Sequence, residues 1–303
     1  MATETEDPSK NIVSHSKFSK NNTTSTKNIK TTSQNILTTD QKEKKEEDNF
    51  ELQFNPFILP NSFIEKNKKP PYLHLEVINS WILPKGFILK ITPQGLENSL
   101  RQKKDGISYF GFQDDIDQSP PYIDYLISPQ DQEYDDKYLG KHFQIAFNKN
   151  DLKYYIKDLG AGFGTFIKLL TPLMIKDHYL LNIGDTYIVF NLDENKKDEI
   201  HINLLSGNET YEPFVFNASS KNEITIGRDF NCEISIEDKM LSRIHCVINF
   251  DNIKKVWILI DGMGNKKPST NGTWIYADED IEIYEGMIFK ANHNLFECKY
   301  KYK

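Results

Sequence analysis

Three short polar clusters near the C-terminal end hold the residues whose types and spacing could do chemistry. Gly227 and Arg228 end the alternating run Glu223–Ile226. Ser242 and Arg243 stand just before Ile244 and His245, and Ser269, Thr270, Asn271, Gly272 and Thr273 follow. An arginine, a short hydroxyl and a carboxamide, each at the end of an apolar β-branched run, are the groups needed to grip a phosphate on a peptide. A phosphorylated side chain carries close to two negative charges near neutral pH and three strong acceptor oxygens. Arg228 supplies a fixed cation with a planar set of donors. Ser242 supplies a hydroxyl donor, and Arg243 a second charge for the phosphate or an acidic neighbour. Asn271 has both donor and acceptor, which suits a clasp on peptide backbone. Gly227 and Gly272 permit tight turns and close backbone approach, and His245 and Thr273 read as scaffold.

Composition excludes several other classes. The chain has 303 residues, a formal net charge of −7 and 38% hydrophobic residues. An acidic balance gives no general attraction to nucleic acid or an anionic membrane. No apolar run nears the ~18 residues of a membrane span. The N-terminus lacks a secretory pattern, so the expected location is nuclear or cytoplasmic. Cys232, Cys246 and Cys298 are isolated, with neither metal spacing nor a disulfide framework, and read as buried free thiols. The run Gly160–Gly164 lacks the lysine and aspartate context of a kinase loop and the Walker pattern. No nucleophile-base pair or carboxylate constellation stands at motif spacing. No catalytic residue, metal or cofactor is expected.

These clusters need strands to position them. Residues 1–50 are polar with balanced charge and are expected to be a disordered tail. Residues 51–71, with Phe54, Phe57, Ile58, Leu59 and Phe63, are expected to form an extended arm. From residue 72 short alternating runs recur between Gly, Pro, Asn and Asp clusters, and no window keeps a helical period. The expected class is all-β, as two sandwiches. They span 72–193 and 200–303, joined by a solvated linker at 194–199 within the charged run Asp193–Glu199.

The halves also repeat. Phe110-Gly111-Phe112 lies over Ile226-Gly227-Arg228, His142 over His245, and Asp158–Thr165 over Asp261–Thr273. Leu181–Asp185 is placed over the turn around Gly286. In this order, G-R then S-x-x-H then N-G-T on strands, residues 200–303 resemble the forkhead-associated (FHA) domain, and 72–193 resemble a degenerate copy. The resemblance implies tandem β-sandwiches, with phosphothreonine peptides bound by loops at one end of the intact copy. It assigns peptide contact to Arg228, Ser242, Arg243, Thr270 and Asn271, and scaffold roles to Gly227, His245, Gly272 and Thr273. It implies a binding module and not an enzyme. The implied partner is a phosphothreonine-containing protein, or the chain's own threonine-rich tail once phosphorylated. In the first copy Phe112, Leu139 and Phe163 stand where Arg228, Ser242 and Asn271 would be, and Lys141 is a poor substitute by position. That copy is expected to keep the fold without the site. The alternative is a phosphate-independent scaffold or dimerisation protein in which the first copy carries the main interaction.

Overall fold

The alternating runs form strands throughout the computed structural model, which describes residues 69–112, 121–127, 139–206, 209–210, 212–264 and 267–302. The expected tail, most of the arm and most of residues 113–138 lie outside these residues. The first half gives β1 (Tyr72–Asn79), β2 (Ile88–Thr92), β3 (Gly95–Leu96), β4 (Ile107–Phe112), β5 (Tyr125–Leu126), β6 (Gly140–Asn148), β7 (Lys153–Asp158) and β8 (Thr165–Lys168). It continues with β9 (Leu173–Met174), β10 (Leu180–Ile183) and β11 (Thr186–Leu192). The second half gives β12 (Glu199–Ser206), β13 (Glu209–Thr210), β14 (Phe214–Asn217), β15 (Glu223–Gly227), β16 (Ile234–Ser235), β17 (Cys246–Asp251) and β18 (Val256–Asp261). It ends with β19 (Trp274–Tyr276), β20 (Ile281–Glu282), β21 (Ile288–Ala291) and β22 (Asn294–Lys301). No helix occurs among the described residues. The alternation is the cause: in β1, Leu73, Leu75 and Val77 point inward while the residues between them stay half-buried, as a period of two requires.

Two hydrophobic cores form, as the repeat predicts, but they do not follow the contiguous halves 72–193 and 200–303. The first core joins Leu75, Phe110, Phe143 and Ile156 to Ile281, Met287, Phe289 and Phe296 from the end of the chain. The second joins Ile202, Ile226, Ile248 and Trp257 to Leu173, Leu181, Ile188 and Phe190 from the first half. Each half thus hands its last strands to the other. The sheets record the same exchange. A twelve-stranded sheet runs β13-β12-β11-β10-β19-β8-β21-β22-β1-β2-β3, with β14 also on β12. Over it lie two five-stranded sheets, β16-β15-β17-β18-β9 and β20-β7-β6-β4-β5.

The exchange has a local cause. β9 runs antiparallel to β18, with Leu173 opposite Leu259, so it enters at the end where β18 finishes and the Ser269–Thr273 cluster begins. β19 starts at that end and leaves at the other. β8 runs antiparallel to β19 and brings Lys168 opposite Trp274, so only β8 delivers the chain where β9 must begin. Four residues, Leu169–Pro172, make that connection. A return from Tyr276 would have to recross the strand at about 3.3 Å per residue. The same geometry holds in mirror role around Ala277–Asp280.

The pairing is symmetric about the β8–β19 contact. Ile167 pairs with Ile275 at its centre. Ile167 pairs outward with Phe289, and Ile275 pairs outward with Leu181. This register corrects the sequence alignment at one place. Leu181–Asn182 correspond to Phe289–Lys290, so Gly184 corresponds to Asn292 and His178 to Gly286. All four have positive φ, at 53°, 51°, 62° and 79°. Asparagine and histidine tolerate the left-handed region better than most side chains, so matching glycine to glycine misplaced the turn.

Residues 193–198 are exposed and Glu199 is half-buried on β12; the run is a hairpin turn and not a spacer. Leu192 pairs with Ile200, and the Lys196 amide donates to the Asp193 carbonyl at 3.0 Å. The described end of the arm is held by the Tyr154 hydroxyl, which donates to the Pro71 carbonyl at 2.9 Å. Cys246 and Cys298 are buried free thiols, and Cys232 is only half-buried. Burial pushes the two buried thiols well above the ordinary range, which leaves them inert.

Candidate functional site

Arg228 leaves β15 at the point where that strand meets the loop before β17. Its backbone amide donates to the Ser242 carbonyl at 3.1 Å, and the Asp229 amide donates to the Arg243 carbonyl at 3.1 Å. Gly227 makes this approach feasible. A Cβ there would lie 2.2 Å from the Arg243 carbonyl oxygen and 2.9 Å from the His245 nitrogen. The side chains of Arg228 and Arg243 are both exposed. Two hydrogen bonds from Asn231 lead in holding the Asp229 carboxyl below the usual carboxylate range, with smaller help from Arg243 and Arg228.

Ser242 joins the two loops. Its hydroxyl donates to Thr270 Oγ1 at 3.3 Å and accepts from the Thr270 amide at 3.0 Å. Asn271 Nδ2 donates to the Met240 carbonyl at 2.7 Å, so part of its carboxamide braces the loop ahead of Ser242. The Asn271 carbonyl accepts from Trp274 Nε1 at 3.0 Å. Beneath them lies His245, fully buried. Its Nδ1 accepts from the Ser242 amide at 3.2 Å, which leaves Nε2 to carry the proton and donate to the Gly272 carbonyl at 3.1 Å. His245 thus bridges the loop that carries Ser242 and the loop that carries Gly272.

Asp261 is a brace that the sequence reading aligned but gave no role. It accepts from the Ser269 hydroxyl at 2.7 Å, the Ser269 amide at 3.0 Å and the Thr273 hydroxyl at 2.7 Å. The Gly272 amide donates to Ser269 Oγ at 2.9 Å. An aspartate eight residues before a serine at a strand end was the available signal. The result is a surface of two exposed guanidinium groups, a hydroxyl pair and a carboxamide, on loops whose backbones are pinned from below.

The first copy has the frame without these groups. Gly111 there approaches Gly140 and His142 as Gly227 approaches Arg243 and His245. Phe112 is buried and Leu139 half-buried where Arg228 and Ser242 stand in the second copy. Phe163 is 49% exposed in the place of Asn271, and its amide donates to Asn292 Oδ1 at 3.0 Å. Lys141 lies over the Tyr109 ring, 3.6 Å from its centroid. His142 is buried, and Asp158 Oδ2 stands 3.9 Å from its Nε2.

Burial is the first cause pushing both His142 and His245 below the ordinary histidine value of about 6.5. The sign follows from linkage. A histidine with a depressed folded value binds its proton first in the unfolded chain, so it costs nothing above about pH 6.5 and destabilises as pH falls from there. His74 and His293, also depressed by burial, act in the same direction. The urea midpoint of residues 69–303 is therefore expected to be lower at pH 5.5 than at pH 7.5, with carboxylates contributing only below about pH 4.5. Equal midpoints would contradict neutral buried imidazoles. Gly227→Ala is expected to separate β15 from the Ser242–His245 segment and to cost about 1–3 kcal/mol. Chemical denaturation measures it, and an unchanged midpoint would show that the close approach is dispensable.

Comparison with known proteins agrees with this placement. Residues 224–289 match the family model of the FHA domain. No curated protein matches the chain. Among solved structures, the Slr1951 protein of Synechocystis sp. is 20% identical, over 41% of this chain and 97% of its own, with a TM-score of 0.20. The FHA-1 domain of Rv1747 from Mycobacterium tuberculosis is 19% identical, over 30% and 88%, with a TM-score of 0.17. A third, an FHA domain studied for phosphothreonine-dependent interactions, is 16% identical, over 30% and 88%, with a TM-score of 0.17. At these values the three structures add nothing to the assignment, which rests on the family match and the motif residues. The chain carries an FHA domain at residues 224–289, whose last strands, β20 and β21, pack into the neighbouring core.

Proposed function

We propose that the protein is a phosphothreonine-binding adaptor with one working site, formed by Arg228, Ser242, Arg243, Thr270 and Asn271. FHA domains are interaction modules, and the adaptor role needs no chemistry beyond recognition. The observation that carries the proposal is the pair of exposed guanidinium groups beside the Ser242–Thr270 hydroxyls on braced loops. A preorganised receptor loses less entropy on binding. About three charge-assisted hydrogen bonds at roughly 1.5–3 kcal/mol each supply the phosphate-dependent part of the affinity, and the contacts of Asn271 to the peptide backbone add to it. The partner is a phosphothreonine protein in the nucleus or cytoplasm, with the phosphorylated tail as a candidate in cis. Titrating a degenerate phosphothreonine library into residues 69–303, beside its unphosphorylated twin, tests this. Binding only to the phosphorylated library is expected, and no binding would overturn it.

A second reading assigns a phosphate-independent contact to the first copy. It is favoured by an exposed aromatic group at the equivalent end. Trp81, 71% exposed, stacks on His293 with ring centroids 3.7 Å apart, and Phe163 meets His293 edge-on at 5.6 Å. Partner capture that survives phosphatase and Arg228→Ala but is lost in Trp81→Ala would favour it.

A further inference from the structure

We propose that the cleft formed by the loop Pro93–Gly106 of the first copy is the docking site for the segment of this chain that precedes β1, with Phe63 and Ile64 as the side chains that enter it. Those two residues lie outside the described ones, whereas the loop is described throughout. Docking there needs no phosphate. It gives the first copy a task of its own, which is to hold the N-terminal arm against the sandwich.

The second copy shows what the equivalent loop does when it is short. There Ala218–Asn222 connect β14 to β15, and this end of β14 grips the residue that leads into β12. The Ala218 amide donates to the Asp198 carbonyl at 2.8 Å, and Asn217 Nδ2 donates to Asp198 Oδ2 at 3.2 Å. β1 and β2 pair as β12 and β14 do, with Leu73 opposite Ile91 as Ile200 is opposite Phe216. Pro71 therefore corresponds to Asp198, and Pro93 to Ala218. Proline has no N–H to donate, so the short grip cannot form. The Tyr154 hydroxyl donates to the Pro71 carbonyl instead and stands 3.4 Å from the Ile91 carbonyl oxygen. The arm thus enters β1 beside Ile91 and Thr92, where the long loop begins.

In the first copy the connection from β2 to β4 runs from Pro93 to Gly106 and carries β3. It borders a cleft of about 780 Å³, whose lining includes Thr92, Leu96, Leu100, Lys103 and Lys104. A buried anchor fixes the shape of this loop. The Arg101 side chain, only 6% exposed, donates to Asp124 at 3.0 Å, to Asp105 at 2.7 and 2.9 Å and to the Ile107 carbonyl at 2.7 Å. Asp124 is itself buried. Asn98 and Gln102 hold left-handed φ values of 57° and 56°, a cost that the surrounding anchor must offset. A loop fixed in this way keeps its cleft instead of collapsing onto the sandwich.

Reach, size and charge all select the arm as occupant. Phe63 and Ile64 are the last apolar residues before Lys69, which puts them within about 20 Å of it at about 3.3 Å per residue. A cavity of about 150 Å³ can hold benzene, so the cleft has room for both side chains. Leu96 is buried at its base, and Leu100 is 44% exposed, an apolar surface that a docked arm would cover. The rim carries both signs, in Glu97, Lys103 and Lys104, all exposed. The segment Glu65–Lys68 also carries both, so Glu65 can meet a rim lysine and Lys66 can meet Glu97. The second copy supplies the contrast. Its β12 follows a tight turn from β11 with no arm, and its loop is the short one. The long loop stands only on the copy that an arm precedes.

Amide hydrogen exchange read by mass spectrometry tests this on the full chain, beside residues 69–303, which contain both cores. Fragments from residues 94–104 are expected to exchange about tenfold more slowly in the full chain. A full chain carrying Phe63→Asp and Ile64→Asp should exchange there as residues 69–303 do. These two positions belong to neither core, so the variant keeps the fold. Leu100→Asp, on an exposed wall, should speed exchange in residues 57–66 to the rate of the preceding tail. Equal exchange at 94–104 in the full and shortened chains, or in the full chain and its double variant, would overturn the proposal. Protection that appears only at concentrations where light scattering shows dimers would assign the cleft to a second copy's arm and overturn docking within one chain. None of these results depends on Arg228, so the phosphothreonine reading stands or falls separately.

Discussion

Residues 194–303 expressed alone are expected to be unfolded, although they contain every motif residue of the site. The second core loses Leu173, Ile175, Leu181, Ile183, Ile188 and Phe190, all buried. Fully burying one such side chain stabilises by about 1.5–3 kcal/mol. Six of them give roughly 9–18 kcal/mol, against about 5–15 kcal/mol for the whole stability of a domain. The fragment also keeps β20 to β22 with no first core to receive them. Residues 69–193 alone should fail for the reciprocal reason, since Ile281, Met287, Phe289 and Phe296 are missing from their core. Mixed after co-expression, the two fragments should form a folded one-to-one complex. Backbone amide dispersion in heteronuclear spectra, with mass by light scattering, checks both statements. A well-dispersed spectrum from residues 194–303 as a monomer would show that the halves fold separately.

Arg228→Ala is expected to weaken phosphothreonine-peptide binding by about 100-fold without loss of stability. The side chain is exposed and makes no side-chain hydrogen bond or ion pair among the described residues, so its removal leaves no buried group unpaired. The backbone amide that holds β15 to the Ser242 segment is untouched. What is lost is a planar pair of charge-assisted bonds to phosphate, about 3 kcal/mol, and each 1.4 kcal/mol is about tenfold. Arg228→Lys should recover only part, because an ammonium cannot present the bidentate fork. Calorimetric titration beside a thermal melt separates the two effects. A variant that melts like the parent and binds like the parent would place the phosphate elsewhere.

The local features were legible because they depend on local spacing. Alternation in Tyr72–Asn79 fixed the inward face of that strand. Gly227 before Arg228, and His245 three residues after Ser242, marked two loops that must approach. Phe112, Leu139 and Phe163, in place of Arg, Ser and Asn, marked the copy that lacks these polar groups. What could not be read was which strand closes which core. β10 and β21 carry equivalent patterns, and so do β11 and β22, so either hairpin fits either sandwich. The choice is set by connection length and direction, through Leu169–Pro172 and Ala277–Asp280. Asp261 was visible as an aligned position, yet its three hydrogen bonds depend on how the loop from Gly262 to Thr273 folds back.

The most direct measurement is a heteronuclear titration of residues 69–303 with one phosphothreonine peptide. The account predicts saturable shifts at Arg228, Ser242, Arg243, Thr270 and Asn271, none at Phe112, Leu139 or Phe163, and none with the unphosphorylated peptide. Shifts centred on the first copy, or equal shifts without the phosphate, would contradict it.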